Sequence, residues 1–214
     1  MKIFIDFDDV LFNTMDFNEQ FEGAFGSCGV DENLFRSTYK KARQREGIYN
    51  YSFDRHLSIL EHDYGHDSKA IESAVKSLSY GADQFIFDDA EDFLKTLQKG
   101  NHELYLVSFG APSIQEGKVD GSGLRKYFKK IIVGEISKGE KVKELLGDEN
   151  GENSLFLDDR AAHIQSVKKN CPLITTILVG RSEGRYHDKR TDSCDHVVAE
   201  LTEVSDIIKN FPNF

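Results

Sequence analysis

The chain has 214 residues, which is enough to bury a substantial core, either as one domain or as a domain with a smaller insertion. Its formal net charge is −10 at pH 7, and this excess of acidic residues argues against binding nucleic acid or an anionic membrane through bulk electrostatics. An anionic small molecule would therefore have to be bound by a local cluster of positive charge.

The cysteine pattern and the hydropathy pattern together predict a cytoplasmic protein. Cys28, Cys171 and Cys194 are isolated and lack C-x-x-C spacing, which favours reduced thiols over a disulfide framework or a zinc site. The sequence starts with a strand pattern, without a basic segment followed by a long apolar one, and no window approaches the length of a membrane span. We therefore expect a soluble protein that does not associate with a membrane.

The first predicted strand ends in a group of acidic residues. Residues 3–5, Ile-Phe-Ile, predict a short buried strand, and Asp6, Asp8 and Asp9 follow it. In open α/β sheets, ligands bind beyond the carboxyl ends of parallel strands. Neighbouring carboxylates need a cation or a proton to offset their charge, and a compact set of oxygen ligands suits Mg²⁺. A solvated acidic turn is the alternative interpretation.

The next 65 or so residues have a helical pattern that interrupts the strands. Apolar residues recur there at helical spacing, first at Phe17, Phe21 and Phe25. We predict roughly four helices, which form an all-helical insertion over residues 15–81. Residues 1–14 and 82–214 would then form the other domain.

From residue 88 onward, strand patterns alternate with helix patterns. Asp88 is the predicted N-cap of a helix that ends at Gly100. The following strands are predicted at 104–107, 131–133, 154–157, 174–179 and 196–198, and the helices at 124–128, about 141–146, 161–169 and 204–211. Because strands that alternate with helices pair in parallel, the fold class is α/β with a doubly wound, Rossmann-like parallel sheet.

A glycine-containing segment, residues 117–123, lies outside these predicted elements. It has neither the spacing of a phosphate-binding P-loop nor a strand directly before it. We interpret it as a flexible turn.

Suitable polar groups follow three of the later strands. Ser108 follows the strand at 104–107, and its hydroxyl is suited to hydrogen-bond an anionic oxygen. Lys138 follows the strand at 131–133, with Lys141 as a competing candidate for the same role. Asp158 and Asp159 end the strand at 154–157, so they are expected to converge with the acids that follow the first strand.

The segment Asp6-Phe-Asp8-Asp9-Val-Leu11 resembles the first signature of the haloacid dehalogenase-like (HAD) hydrolases, D-x-D-G-T-L. Asp9 stands where that signature commonly has glycine. Ser108, Lys138 and the Asp158–Asp159 pair follow in the order of the family's other signatures, so the resemblance spans most of the predicted core. It implies a Rossmann-like core with an inserted helical cap domain.

The resemblance also implies a role for each matching residue. Asp6 would be the nucleophile, and Asp8 would act as a general acid and then as a general base. Mg²⁺ would be held by Asp6, the backbone carbonyl of Asp8 and Asp159, with Asp158 acting through water. Some members have an acid four residues beyond the metal-binding Asp, where this chain has His163. The phosphoryl oxygens would be held by Ser108 and Lys138.

These roles imply a Mg²⁺-dependent phosphohydrolase that acts on a small phosphorylated metabolite through an aspartyl-phosphate. Asp8 favours phosphoryl chemistry, because dehalogenating members need neither this second Asp nor the metal. A phosphomutase of the same superfamily is an alternative. A receiver-like phospho-acceptor is another, but receivers are shorter and are phosphorylated on an Asp after the third strand, whereas no acid ends the third strand here near Gly134. The natural substrate and the oligomeric state stay open.

Overall fold

The structure, a computed structural model, describes residues 1–45, 48–49, 51–135 and 137–211. The chain divides into two units. The first unit contains Met1–Met15, Ile86–Phe109 and Leu124–Phe214, and the second contains Asp16–Phe85 and Gly110–Gly123.

The described elements are as follows. In chain order the helices are α1 (Thr14–Ser27), α2 (Glu32–Ala42), α3 (Phe53–Tyr64), α4 (Ser68–Tyr80), α5 (Ala90–Lys99), α6 (Pro112–Gly121), α7 (Lys138–Leu146), α8 (Ala161–Asn170) and α9 (Leu201–Lys209). The strands are β1 (Lys2–Ile5), β2 (Gln44–Arg45), β3 (Ile48–Tyr49), β4 (Glu103–Phe109), β5 (Lys130–Gly134), β6 (Ser154–Asp158), β7 (Thr175–Val179) and β8 (His196–Val198). Short 3₁₀ helices cover Ala82–Phe85 and Leu124–Tyr127.

A six-stranded parallel sheet with the order β5-β4-β1-β6-β7-β8 forms the centre of the first unit. Strand β1 lies between β4 and β6, and Ile5 pairs with Leu106 on one side and with Leu157 on the other. The carboxyl ends of these three strands therefore lie at the same edge of the sheet. The predicted α/β class with a doubly wound parallel sheet is confirmed.

The central strands are covered on both faces, which explains their uninterrupted apolar sequences. Residues 3–5 of β1 and every residue of β6 are buried. Phe4 and Phe156 pack in one apolar cluster with Val142 of α7 and Ile164 of α8. Burial of this kind is typical of strands inside a parallel α/β sheet.

Three helix starts differ from the sequence prediction, and one of them is that of α9, which begins at Leu201 rather than at residue 204. Asp89, rather than Asp88, precedes α5, and its carboxylate makes no cap hydrogen bond. That carboxylate instead accepts hydrogen bonds from Arg181 Nη2 at 2.7 Å and from the backbone N–H of Leu201 at 2.9 Å. Helix α7 begins at Lys138 instead of near residue 141, because Ser137 is its N-cap and accepts a hydrogen bond from a backbone N–H in its first turn.

The second unit contains α1 to α4, in agreement with the four predicted helices, but it is not all-helical. Strands β2 and β3 form a two-residue antiparallel ladder in which Gln44 pairs with Tyr49 and Arg45 pairs with Ile48. A ladder this short has no sequence periodicity from which to predict it. Helix α6, although it lies outside the predicted insertion, also belongs to this unit.

The predicted flexible turn at residues 117–123 is wrong, because residues up to Gly121 belong to α6. Pro112 starts this helix at a position where its missing N–H is tolerated. A Cβ atom on Gly121 would lie 1.7 Å from the backbone oxygen of Ser79, so only glycine permits this contact between α6 and α4. The glycine serves close helix packing here rather than chain flexibility.

A buried histidine, His56, lies in the aromatic core of the second unit. Its Nε2 is 2.8 Å from Thr38 Oγ1, and its Nδ1 is 3.0 Å from the Tyr51 hydroxyl. The Thr38 hydroxyl donates its proton to the carbonyl of Leu34 at 2.7 Å, so it accepts from Nε2–H. The ring stacks on Phe25 with a centroid distance of 4.8 Å. Burial lowers the pKa of His56 to about 4.

Acidification is therefore expected to destabilise the protein through His56. The pKa of the imidazole is 6.5 in the unfolded chain and about 4 in the folded one, so the unfolded state binds an extra proton between these values. The free energy of unfolding then falls by up to about 3 kcal/mol as the pH drops from 7 to 4. Denaturant titrations of the wild type and His56→Gln at several pH values test this, because glutamine does not titrate. A stability difference that stays constant with pH would contradict a neutral buried imidazole.

Two further sequence expectations concern cysteines and membrane spans. Cys28, Cys171 and Cys194 are all free, as predicted. No helix in the described part of the chain combines the length and the hydrophobicity that a membrane span requires.

Candidate active site

Strands β1 and β6 bring two carboxylates to one buried lysine. Lys138 Nζ lies 2.8 Å from Asp6 Oδ1 and 2.7 Å from Asp158 Oδ2. All three side chains are buried. Lys138 reaches them from the first residue of α7, because the helix starts there. The structure thus brings together three of the residues that the sequence singles out.

The same geometry decides between the two candidate lysines. The Lys141 ammonium pairs with Glu144, one turn along the exposed face of α7. Lys138 is 1% exposed at its side chain and Lys141 is 25% exposed. Of the two lysines, Lys138 is therefore the one that faces the carboxylates.

Burial and the opposite charges nearby shift the pKa values of this cluster in opposite directions. Burial raises the pKa of Asp6 to about 6, although the adjacent Lys138 ammonium lowers it. For Asp158, burial also disfavours the charged form, but Lys138 and His163 outweigh it and lower the pKa of this carboxyl. The two carboxylates in turn outweigh burial at Lys138 and raise the pKa of its ammonium. Lys138 therefore stays charged beside both acids.

Asp159, the second acid of the Asp158–Asp159 pair, is suited to hold a cation. Its Oδ2 is buried and has no hydrogen-bond partner among the residues that the structure describes. Burial, together with the negative charges of Asp6 and Asp158, raises the pKa of Asp159 to about 9. A bound cation would remove this penalty, because it attracts the carboxylates that otherwise repel one another.

Asp158 differs from Asp159 in that protein donors occupy both of its oxygens. Oδ2 accepts from Lys138, while Oδ1 accepts from the backbone N–H of Arg160 at 2.9 Å and lies 3.0 Å from His163 Nδ1. Ligand atoms of Asp6, Asp158 and His163 all lie within 4.8 Å of one another. These three residues form a described group that could hold a cation, and Asp159 lies near enough to Asp6 for the charge of Asp6 to raise its pKa.

Asp8 lies in the turn that follows β1. Its Oδ1 accepts a hydrogen bond from Thr14 Oγ1 at 3.0 Å, and its Oδ2 faces Arg185 Nη2 at 3.9 Å. The negative charge of Asp8 also contributes to the raised pKa of Asp6, which places the two carboxyl groups near each other. Thr14 was not predicted from the sequence, because a single threonine at a helix start carries no distinctive pattern.

Asp9 stands where the D-x-D-G signature has glycine, and its backbone adopts a conformation that favours glycine. Its backbone has φ of +56°, in the left-handed region that favours glycine. Aspartate tolerates this region better than most residues. The side chain is buried, and its Oδ2 accepts a hydrogen bond from Arg185 Nε at 2.6 Å.

Two arginines of the segment after β7 reach this same turn, although the sequence leaves open whether they approach the site or face water. The buried Arg181 donates through Nε to the carbonyl of Val10 at 2.9 Å. Arg185 pairs with Asp9, and the carboxylates of Asp8 and Asp9 outweigh the effect of burial and raise the pKa of its guanidinium. Their position after the carboxyl end of a strand is the only signal that the sequence offers.

Ser108 lies within β4, which continues to Phe109, rather than after the strand. It is buried near the end of β4 and pairs in register with Val133 of β5. Since β4 is adjacent to β1, its hydroxyl belongs to the same edge of the sheet as Asp6.

Comparison with protein families identifies the architecture. A model of the haloacid dehalogenase-like hydrolases matches residues 3–169. The chain belongs to this family. No curated protein matches the sequence. The neighbours among solved structures are similar to this HAD hydrolase in fold, at sequence identities too low to carry an activity.

Three of those solved structures illustrate the range of the fold. YfnB from Bacillus subtilis, solved with bound magnesium, has a TM-score of 0.68 at 18% identity, and the match covers 98% of both chains. CbbY from Rhodobacter sphaeroides, solved with phosphate, has a TM-score of 0.58 at 15% identity and covers 95% of both chains. The L-2-haloacid dehalogenase from Xanthobacter autotrophicus has a TM-score of 0.64 at 15% identity and covers 98% of both chains.

Gly139 sets how closely the lysine-bearing helix of this HAD hydrolase packs. A Cβ atom at this position would lie 2.2 Å from the backbone oxygen of Ser166 on α8. We expect Gly139→Ala to push α7 away from α8 and to displace Lys138, so that the free energy of unfolding falls by about 1–3 kcal/mol and kcat falls about tenfold or more.

Denaturant titration and steady-state kinetics check this prediction. Gly23→Ala in α1 is the matched control, because a Cβ atom there meets nothing within 4 Å. The control is expected to gain up to about 1 kcal/mol from the better helix propensity of alanine. Equal effects of the two substitutions would contradict a packing role for Gly139.

Proposed function

We propose that this HAD hydrolase is a Mg²⁺-dependent phosphohydrolase that acts on a small phosphorylated metabolite through an aspartyl-phosphate intermediate. The observation that carries the proposal is the buried Lys138, which contacts both Asp6 and Asp158 near a third aspartate, Asp8. Phosphoryl transfer needs an in-line nucleophile and compensation of the spread negative charge, and this cluster offers both.

In the proposed reaction, an oxygen of Asp6 attacks phosphorus, and the bond from phosphorus to the leaving oxygen breaks. Asp8 donates a proton to that oxygen and later accepts one from the water that hydrolyses the aspartyl-phosphate, which releases phosphate and restores Asp6. Lys138 stays charged between Asp6 and Asp158 and offsets the charge of the phosphoryl group, and Ser108 is the proposed hydroxyl donor to it.

The proposed metal site uses Asp6, the backbone carbonyl of Asp8 and Asp159, with Asp158 next to it. Asp159 Oδ2 supports this assignment, because it has no hydrogen-bond donor in the described part of the chain, and a buried carboxylate oxygen of this kind suits a hard cation. When bound, Mg²⁺ would supply charge compensation and orientation to the phosphoryl oxygens.

The helical second unit is inserted in the chain where many family members carry their cap domain, and we propose this role for it.

A phosphomutase remains the nearest alternative, and a requirement for a bisphosphate activator would distinguish it. Haloacid dehalogenation is a further alternative, because several neighbours in fold are named as dehalogenases. Asp8 favours the phosphatase over it, and halide release from a 2-haloacid would overturn that preference.

The decisive experiment is a panel of phosphorylated metabolites, together with one aryl phosphate, scored for phosphate release with Mg²⁺ and with EDTA. We expect turnover that falls at least about 100-fold on metal removal, since a metal contributes several kcal/mol to the barrier. A fully folded protein that releases phosphate from none of these esters would refute the proposal. A receiver-like protein would take up at most one slow equivalent.

A further inference from the structure

We propose that Arg185 is a positioning residue of this site, which neutralises Asp9 and thereby keeps the neighbouring Asp8 carboxylate in place for proton transfer. The inference rests on the proposed phosphohydrolase function, in which Asp8 is the acid and base. It concerns a residue outside the four signatures that the sequence analysis used.

The first step of the argument is that Asp9 is an unfavourable residue for its position. The left-handed backbone, with φ of +56°, would suit glycine better, and the carboxylate is 1% exposed. Its Oδ1 lacks a hydrogen-bond partner within the described residues. A buried carboxylate of this kind is strongly destabilising unless a cation is held beside it.

The second step is that the protein holds Arg185 at Asp9. The guanidinium Nε lies 2.6 Å from Asp9 Oδ2, which is short even for a charge-assisted hydrogen bond. Gly184 lies against Asp9, since a Cβ atom on this glycine would be 3.7 Å from the Cβ of Asp9. The Arg185 guanidinium also lies 5.1 Å from the ring centroid of Tyr186. The segment after β7 is thus shaped to cover Asp9.

The third step connects the pair to Asp8. With Nε bound to Asp9, Arg185 Nη2 lies 3.9 Å from Asp8 Oδ2, while Thr14 holds Asp8 Oδ1. Without the guanidinium, an uncompensated carboxylate would remain at the residue next to Asp8. The repulsion between the two carboxylates would then turn Asp8 away from its hydrogen-bonded orientation. Arg185 acts on the reaction through Asp8 and not through the substrate.

The leaving group of the substrate provides a specific test. An alkyl phosphate needs a proton on its leaving oxygen, whereas an aryl phosphate with an acidic phenol does not. The value of kcat/KM covers the steps up to formation of the aspartyl-phosphate. We therefore expect Arg185→Met to lower kcat/KM for the alkyl ester at least about tenfold more than for the aryl ester, within the range that general acid catalysis contributes.

Two further variants separate this role from general damage. In Asp9→Gly/Arg185→Met the buried charge is absent and glycine suits the backbone, so the alkyl-to-aryl ratio should return to within about threefold of the wild type. Arg190→Met, in the same segment, is the matched control, because Arg190 is exposed and donates only to the carbonyl of Asp195 at 3.2 Å in the described structure. It should leave the ratio unchanged.

The outcomes separate this inference from the proposed function. If the wild type turns over both esters and Arg185→Met lowers both equally, or raises KM alone, the inference fails and the phosphohydrolase stands. It also fails if the double variant keeps the altered ratio, and this holds even where Arg185→Met alone does not fold. A wild type without phosphatase activity overturns both.

Discussion

Asp6→Asn is expected to abolish turnover of an aryl phosphate, with kcat reduced by at least about 1000-fold. The amide of asparagine is not a nucleophile toward phosphorus, so the aspartyl-phosphate cannot form. Asparagine has nearly the same shape, and its oxygen can still accept the backbone N–H of Phe7, which donates to Asp6 Oδ1 at 2.8 Å. Phosphate release and the mass of the acid-quenched protein would both report the loss.

The stability of this variant separates loss of chemistry from loss of fold. Burial raises the pKa of Asp6 to about 6, so the charged carboxylate opposes folding at pH 7, and removing the charge should not lower the melting temperature. Asp92→Asn is the control, because Asp92 is 86% exposed on α5. Turnover retained by a folded Asp6→Asn protein would refute the covalent mechanism.

Lys138→Met is expected to affect both activity and stability. Methionine fills a similar volume but leaves the buried carboxylates of Asp6 and Asp158 without their shared cation. The free energy of unfolding at pH 7 should fall by about 3–5 kcal/mol, as it does when one partner of a buried ion pair is removed. Loss of charge compensation on the phosphoryl group should lower kcat at least about 100-fold.

The matched control for this second experiment lies on the same helix. Lys141→Met makes the same chemical change at a partly exposed lysine whose pair with Glu144 is worth at most about 1 kcal/mol. Denaturant titration and steady-state kinetics on both variants measure the difference. Similar losses in the two proteins would show that Lys138 has no special role.

Much of the site was predictable because it depends on strand order. Apolar runs that end in Asp6 and in Asp158 predict two parallel strands, and the carboxyl ends of parallel strands share one edge of the sheet. The register of β1 with β6, in which Ile5 pairs with Leu157, puts the next residue of each strand side by side. Convergence of these acids therefore follows from the pattern alone.

Other features depended on contacts between segments that are distant in the chain. Ser137 moves the start of α7 forward, and only then does Lys138, rather than Lys141, reach the carboxylates. The sequence around Gly117 and Gly121 predicts a turn, because sequence patterns do not show that Gly121 packs against Ser79. Helix propensity was outweighed here by tertiary packing.

By itself, the sequence determined the α/β class, the first-strand acids and the acid pair after β6, because hydrophobic periodicity and strand-end chemistry are local properties. The pairing of Lys138 with Asp6 and the contact of Arg185 with Asp9 became evident only from the three-dimensional arrangement. The same holds for the buried oxygen of Asp159, which has no donor among the described residues. These are matters of distance and burial between residues far apart in the chain. Local sequence patterns carry no information about such distances.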